Sequence, residues 1–195
     1  MTKQSTNFAF ISSAAPQDDP LSVVEFHGSE SLSRPFEFSV ELKSRSDDVD
    51  IEALLRQAAS LHIQVGGRLR LVHGELTEFV VIGQQGTFVL YRTVLVPRVW
   101  RLSQHRSNEV HVDETLPDII TSVLEHSGFT ALDYDLRLER DYPRWPMCCQ
   151  FDETDLDFIS RLMEREGLYY FFEHDDDIDR LIICDHLQGQ AELEG

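Results

Sequence analysis

The sequence predicts a mainly β protein with an α+β second part. A small antiparallel β-barrel is expected over residues 1–105, and the start of an α+β domain over 106–195. Three observations predict this. Short runs of alternating or β-branched residues recur between turn signals in the first half. Amphipathic helical stripes occur only in the second half. The charge also changes between halves, with 12 acidic against 10 basic residues in 1–105 and 23 against 7 in 106–195. Apolar residues make up 42% of the chain, 12 of them Phe, which is enough for a packed, strand-rich core.

Residues 21–26 form the first strand candidate, followed by a turn at His27-Gly28-Ser29-Glu30. Residues 36–42 then alternate apolar and polar, the period of a strand with one buried face. Asp50 is placed to cap a short helix over 51–57. Strands follow at 61–65 and 68–72, joined by a Gly66-Gly67 hairpin turn. Another strand is expected over 75–82. A turn at 83–86 and a strand over 87–96 end the series. Short strands at this spacing suit a barrel or sandwich, with the helix across an open end or an edge.

In the second half, Thr115 reads as an N-cap, with Pro117 and Asp118 in the first helical turn. Ile119, Ile120, Val123 and Leu124 make its apolar stripe, and Gly128 its stop. Thr154 and Asp157 approximate a capping box for a second helix. Its buried face is Leu156, Phe158, Ile159, Leu162 and Met163, and Gly167 ends it. Residues 168–173 read as a strand and 180–184 as its partner, with an acidic tip between them. The polar tail, 188–195, suggests a chain that stops partway through a larger protein.

Composition excludes several classes. A net charge of −18 repels phosphate, so no nucleic-acid partner is expected and anionic membrane is disfavoured. The N-terminus lacks the apolar run of a signal peptide, and no window approaches a membrane span, so no membrane anchor is expected. Three Cys, two of them adjacent, fit folding in a reducing cytosol.

Asp175, Asp177 and Asp179 have the i, i+2, i+4 spacing of a calcium loop. Arg180 stands where the loop needs Gly, however, and His186 where it needs Glu, so a solvated hairpin tip is the expectation. His105, Glu109 and His111 are close in sequence, but with no cleft signal they read as surface or half-buried side chains. Cys148 and Cys149 are a vicinal disulfide or, as expected, neighbouring strand residues facing opposite ways. No Gly-x-Ser-x-Gly or Ser-x-x-Lys signature occurs, and Gly66-Gly67 is no phosphate loop. The acid pairs Glu164/Glu166 and Asp155/Asp157 point apart on a helix. The aromatic run 169–172 is a ligand platform or, as expected, a strand buried on both faces or against a partner. No catalytic, cofactor-binding or metal-binding residue is therefore assigned. A carboxylate-dependent hydrolase remains the enzymatic alternative.

Four stretches resemble one family, in its order. They are Phe26-His27-Gly28-Ser29-Glu30 running to Pro35-Phe36-Glu37-Phe38, and His73-Gly74-Glu75-Leu76-Thr77-Glu78-Phe79. The third is residues 91–100 running on to Leu116-Pro117-Asp118-Ile119-Ile120. The fourth is residues 150–174, from Gln150-Phe151-Asp152-Glu153 to Tyr169-Tyr170-Phe171-Phe172-Glu173-His174. Together they are similar to the N-terminal region of VgrG, the valine-glycine repeat protein G of type VI secretion spikes. That region is similar in turn to the baseplate hub proteins of contractile phage tails. The resemblance covers about residues 21–186. It implies a tube-protein-like barrel and a structural, non-enzymatic hub that adapts a tube protein to a three-fold spike. It also implies partners: further copies of itself as a homotrimer in the full-length protein, an Hcp-like tube protein, baseplate proteins and effectors. Synthesis in the bacterial cytoplasm and export through the injection apparatus would follow. A hub of a contractile-tailed phage or prophage is the alternative within the same resemblance.

Overall fold

The computed structural model describes residues 7–15, 20–47, 49–175 and 178–187. The chain forms two compact units. The first is drawn from Met1–Glu30, Phe36–Arg98 and His174–Asp179, the second from Ser31–Pro35, Val99–Glu173 and Arg180–Gly195.

The sheet of the first unit contains β1 (Asn7–Ser12), β2 (Ser22–Ser31), β3 (Arg34–Ser44), β4 (Ala58–Val65), β5 (Arg68–Gln85) and β6 (Phe88–Val96), in the order β1-β4-β5-β6-β3-β2. It curls into a half-barrel. Its two edges approach where Phe8 of β1 meets Phe26 of β2 edge to face, with ring centroids 5.1 Å apart. The alternation in β3 buries Phe36, Phe38, Val40 and Leu42, and Leu61, Val72, Leu76, Phe79, Tyr91 and Leu95 of the same sheet are buried too. The expected mainly β architecture is thus present, and the alternation is its physical cause.

Two expected turns are strand instead. No turn occurs at 27–30, because β2 runs on to Ser31 and the chain reverses at Leu32-Ser33. Gly28 is there for another reason. A Cβ at this position would lie 2.2 Å from the buried ring of Phe38, so glycine marks a close approach. Likewise the strands expected over 68–72 and 75–82 are one 18-residue strand, β5. Gly74 lies within it because a Cβ would meet the Val96 carbonyl oxygen at 2.3 Å. Gly83 sits at a register shift rather than a turn, and the chain reverses at Gly86-Thr87. The Gly66-Gly67 turn stands, with φ of 59° and 85° between paired Val65 and Arg68.

The short helix α1 spans Ile51–Leu54 and stops before 57. Asp50 Oδ1 accepts the Ala53 N–H at 2.9 Å, as its cap role requires. The helix ends because the Arg56 N–H donates to the Leu76 carbonyl (2.8 Å). Strand β5 thus claims the backbone that another helical turn would use. Strand β1 had no counterpart in the sequence reading.

The second unit holds a 3₁₀ helix (Arg98–Gln104) from Val99 on, β7 (Arg106–His111), α2 (Leu116–His126), β8 (Tyr134–Arg137), β9 (Cys148–Thr154) and α3 (Asp155–Glu166), then the hairpin of β10 (Tyr169–Asp175) and β11 (Ile178–Cys184) apart from its end, His174–Asp179, which is counted in the first unit. Strands β10, β11 and β8 make a three-stranded sheet, with β8 parallel to β11. Strands β7 and β9 make a separate antiparallel ribbon. The core joins Ile119, Ile120, Val123 and Leu124 of α2 to Phe158, Ile159, Leu162 and Met163 of α3, with Tyr170, Leu181 and Ile183 beneath them. The reciprocal capping box belongs to α2. Thr115 Oγ1 accepts the Asp118 N–H, and Asp118 Oδ2 accepts the Thr115 N–H. At α3, Thr154 Oγ1 accepts the Asp157 N–H at 3.0 Å. Thr154 is also the last residue of β9, paired there with Arg106. Gly167 ends α3 in the left-handed region, φ 73°.

Candidate functional site

The residues a metal or catalytic reading would use point in different directions. Asp175 is exposed at the end of β10, and Asp177 lies outside the described residues. Half-buried Asp179 turns inward, its carboxylate accepting the Arg98 N–H at 2.6 Å. Burial pushes its pKa up to about 7, helped by Glu75 and opposed by the hydrogen bond from Arg98. Asp175 and Asp179 therefore do not face one cation. His174 stands nearby in the same unit. Its Nδ1 accepts the His73 N–H at 3.1 Å, and its ring packs on Phe36. Burial, with His73 and Arg70 adding to it, lowers the His174 pKa to about 4.

The set His105, Glu109 and His111 also divides. His111 is buried and stacked on Phe158, with Nδ1 3.2 Å from Glu114. His105 and Glu109 instead line a groove of about 270 Å³ with Arg101, His126 and Asp155. In this groove Ser107, His105 and buried Asp155 come together, a trio the sequence did not single out. Ser107 Oγ and Asp155 Oδ2 both contact the same ring nitrogen, His105 Nδ1, at 3.1 and 2.9 Å. A relay to a serine nucleophile needs the acid and the serine on opposite ring nitrogens, so this geometry does not activate Ser107. Asp155 instead completes a structural network, its Oδ1 accepting from Gln150 Nε2 at 2.8 Å.

The remaining candidates are structural as well. Asp157 and Glu164 are exposed, away from buried Asp155 and half-buried Glu166. All three cysteines are free thiols, so the vicinal disulfide is excluded. Cys149 is exposed and half-buried Cys148 faces the other way, opposite His111. Of the aromatic run, Tyr170 enters the core. Tyr169 and Phe171 stack on the other face, 6.4 Å apart and half-buried. Among the described residues, no three His, Cys, Asp or Glu side chains are placed to share a metal ion. No helix among them is long and apolar enough to cross a membrane.

Two surface features of the second unit stand out among the described residues. A shallow groove of about 470 Å³ runs between the Leu32-Ser33-Arg34 turn and the end of α3, floored by Met163 and Tyr170. The ribbon β7–β9 presents apolar side chains outward. Asp185, which no motif marks, fastens the loop before β9. Its carboxylate accepts the backbone N–H groups of Glu139 and Arg140 and the hydroxyl of Tyr142, all at about 3.0 Å. Burial alone would raise the Asp185 pKa. These donors, with His186, hold it well below the usual carboxylate range.

Comparison with known proteins identifies what these surfaces belong to. Residues 29–195 match the family model described as the phage tail baseplate hub (GPD). The chain is 35% identical over 166 residues to the type VI secretion system spike protein VgrG1b of Pseudomonas aeruginosa, covering 85% of this chain and 22% of that protein. It is 34% identical over 171 residues to the actin cross-linking toxin VgrG1 of Vibrio cholerae, covering 82% of this chain and 15% of that protein. Among solved structures, the E. coli c3393 protein superposes with a TM-score of 0.85 at 27% identity, over 93% of this chain and 50% of its own. That protein is described as a component of the type VI secretion system with structural similarity to the T4 bacteriophage tail proteins gp27 and gp5. The chain thus spans about a fifth of the length of the curated relatives it matches.

Proposed function

Since the chain belongs to the phage tail baseplate hub family, we propose that it is a structural hub module of a contractile injection spike of the type VI secretion kind. The observation that carries this reading is the match to the c3393 protein along nearly the whole chain, through both units. The expected division, a tube-protein-like barrel over 1–105 followed by a hub domain over 106–195, is part of the proposal. In it the module works as a trimer within the full-length protein, seats an Hcp-like tube protein, and leaves the cell through the apparatus.

A structural role agrees with the site geometry, in which Ser107, His105 and Asp155 meet without an activated nucleophile. Toxic activity named for a relative, such as actin cross-linking, concerns a protein of which this chain corresponds to 15%. The module itself performs no chemistry in this reading. The similarity of the c3393 protein to T4 tail proteins favours a second reading, a hub of a phage or prophage tail.

Binding of the full-length protein to rings of the cognate Hcp-like tube protein tests the proposal. Co-sedimentation of trimer with rings is expected. A trimeric full-length protein that ignores the rings sinks it. A tail tube protein captured in their place selects the phage reading.

A further inference from the structure

The groove of about 270 Å³ lined by Arg101, His105, Glu109, His126, Gln150 and Asp155 lies wholly in the second unit. Hydrogen bonds fix which atoms it can offer a ligand. The buried Asp155 carboxylate only accepts, so His105 Nδ1 carries the proton in its 2.9 Å contact. His126 Nδ1 lies 2.7 Å from the Ser122 carbonyl oxygen, which also only accepts, so this ring too is protonated on Nδ1. In each neutral ring Nε2 is then a bare lone pair. Gln150 directs its amide N–H groups to the Glu153 carbonyl and to Asp155 Oδ1, which leaves it an acceptor, its own carbonyl oxygen. Exposed Glu109 adds a carboxylate. Among the described residues, neither Nε2 atom nor the Glu109 carboxylate has a hydrogen-bond or ion-pair partner.

The polar lining is therefore one-sided. Apart from Arg101 and two serine hydroxyls, the groove presents acceptors, so a ligand that satisfies it is a donor. An anion would meet the carboxylates of Glu109 and Asp155. A metal ion needs three ligand groups around one point, and no three of these side chains are placed to share one. Acceptors set apart in this way suit a guanidinium, whose five N–H groups spread over a planar fork. An ammonium concentrates its three on one atom. Charge favours a cation as well. Two carboxylates line the groove against one Arg, and residues 106–195 carry 23 acidic against 7 basic residues.

We propose that this groove is a binding site for a guanidinium group, the head of an arginine side chain or of free arginine. Its N–H groups donate to His105 Nε2, His126 Nε2 and the Glu109 carboxylate. Asp155 stays a positioning residue, because it holds the His105 ring in the accepting tautomer. The site stands on its own geometry and does not depend on the spike reading.

The test follows the imidazole nitrogens of the isotope-labelled chain by NMR, above the ordinary histidine pKa so that the rings are neutral. The variants His105→Gln and His126→Gln assign the two signals. The free chain should show both rings protonated on Nδ1. Acetyl-arginine-amide is then titrated against acetyl-citrulline-amide, its uncharged counterpart, and acetyl-lysine-amide. About 0.15 M NaCl screens the general pull of an acidic chain on any cation. The arginine probe should move both Nε2 signals and bind about tenfold or more tightly than either of the others. Glu109→Gln should weaken that binding about tenfold. Glu109 is exposed, so circular dichroism and Tm should be unchanged. Rings protonated on Nε2, signals that arginine leaves unmoved, equal binding of the lysine or citrulline probe, or full binding by Glu109→Gln each overturns the proposal. With the site upheld, tighter binding of acetyl-Gly-Arg-Gly-amide than of free arginine assigns it to a partner polypeptide, and the reverse order to a small molecule. None of these outcomes bears on tube-ring binding, so the two proposals fail separately.

Discussion

Asp185 shows how much one side chain decides locally. The carboxylate has no exposed surface and satisfies two backbone donors in the loop before β9. In Asp185→Asn the charge is lost, and one of the two acceptor oxygens becomes an NH₂ group set against the donors that oxygen served, Glu139 N–H and His186. A loss of about 2–3 kcal/mol is expected, read from urea denaturation. Because the folded pKa lies below the unfolded one, the contribution is present above the ordinary carboxylate pKa and fades as the pH falls below it. Gly74→Ala places a Cβ against a backbone oxygen that cannot step aside, and should cost about 2–3 kcal/mol or misfold the chain. His174 and Asp179 form a compensating pair. Lowering the His174 pKa to about 4 makes stability rise with pH between about 4 and 6.5, and raising that of Asp179 to about 7 makes it fall over the same range. Relative to the parent, His174→Asn should lose stability as pH rises through this window, and Asp179→Asn should gain it. Each slope is about 1.4 kcal/mol per pH unit at most, read from denaturation midpoints at pH 4.5 and 6.5. Parallel slopes in all three proteins would refute the pairing.

At the scale of elements, cap chemistry and periodicity carry most of the information. The capping box of α2 depends on Thr115 Oγ1, so Thr115→Ala should destabilise the second unit by about 1 kcal/mol, seen as a lower denaturation midpoint. The elements legible in the sequence are those whose cause is local. The alternation from Phe36 to Leu42 fixed β3, the stripe from Phe158 to Met163 fixed α3, and Gly167 fixed its end. What escaped has a distant cause. Gly28 and Gly74 read as punctuation because the groups crowding them, Phe38 and the Val96 carbonyl, are ten and more residues away in sequence. Strand β8 is short and half-buried, and it earns its place by parallel pairing with β11 far along the chain. The site behaved alike. His105 and Asp155 are fifty residues apart, and only the fold shows that they share one ring nitrogen with Ser107. The face of β7–β9 was written in a period of two, Asn108-Val110-Val112 and Met147-Cys149-Phe151, but its exposure was not.

For the whole molecule, charge is the dominant long-range quantity. With 35 acidic and 17 basic residues, repulsion opposes the compact state at low ionic strength. Raising NaCl from 10 to 150 mM should therefore raise the Tm. A screening gain of about 1 kcal/mol corresponds to about 2–4 °C for a chain of this size. A Tm that falls with added salt would show that ion pairs outweigh the repulsion.

The long strand β5 carries a mechanical consequence. Its first half, Arg68–Glu75, pairs with β4, and its second half, Glu75–Gln85, pairs with β6. A pull directed along β5 loads many rungs in shear, so they must yield together. A pull across the sheet opens them one at a time, like a zipper. The same hydrogen bonds therefore make this unit stiff along one axis and compliant across it.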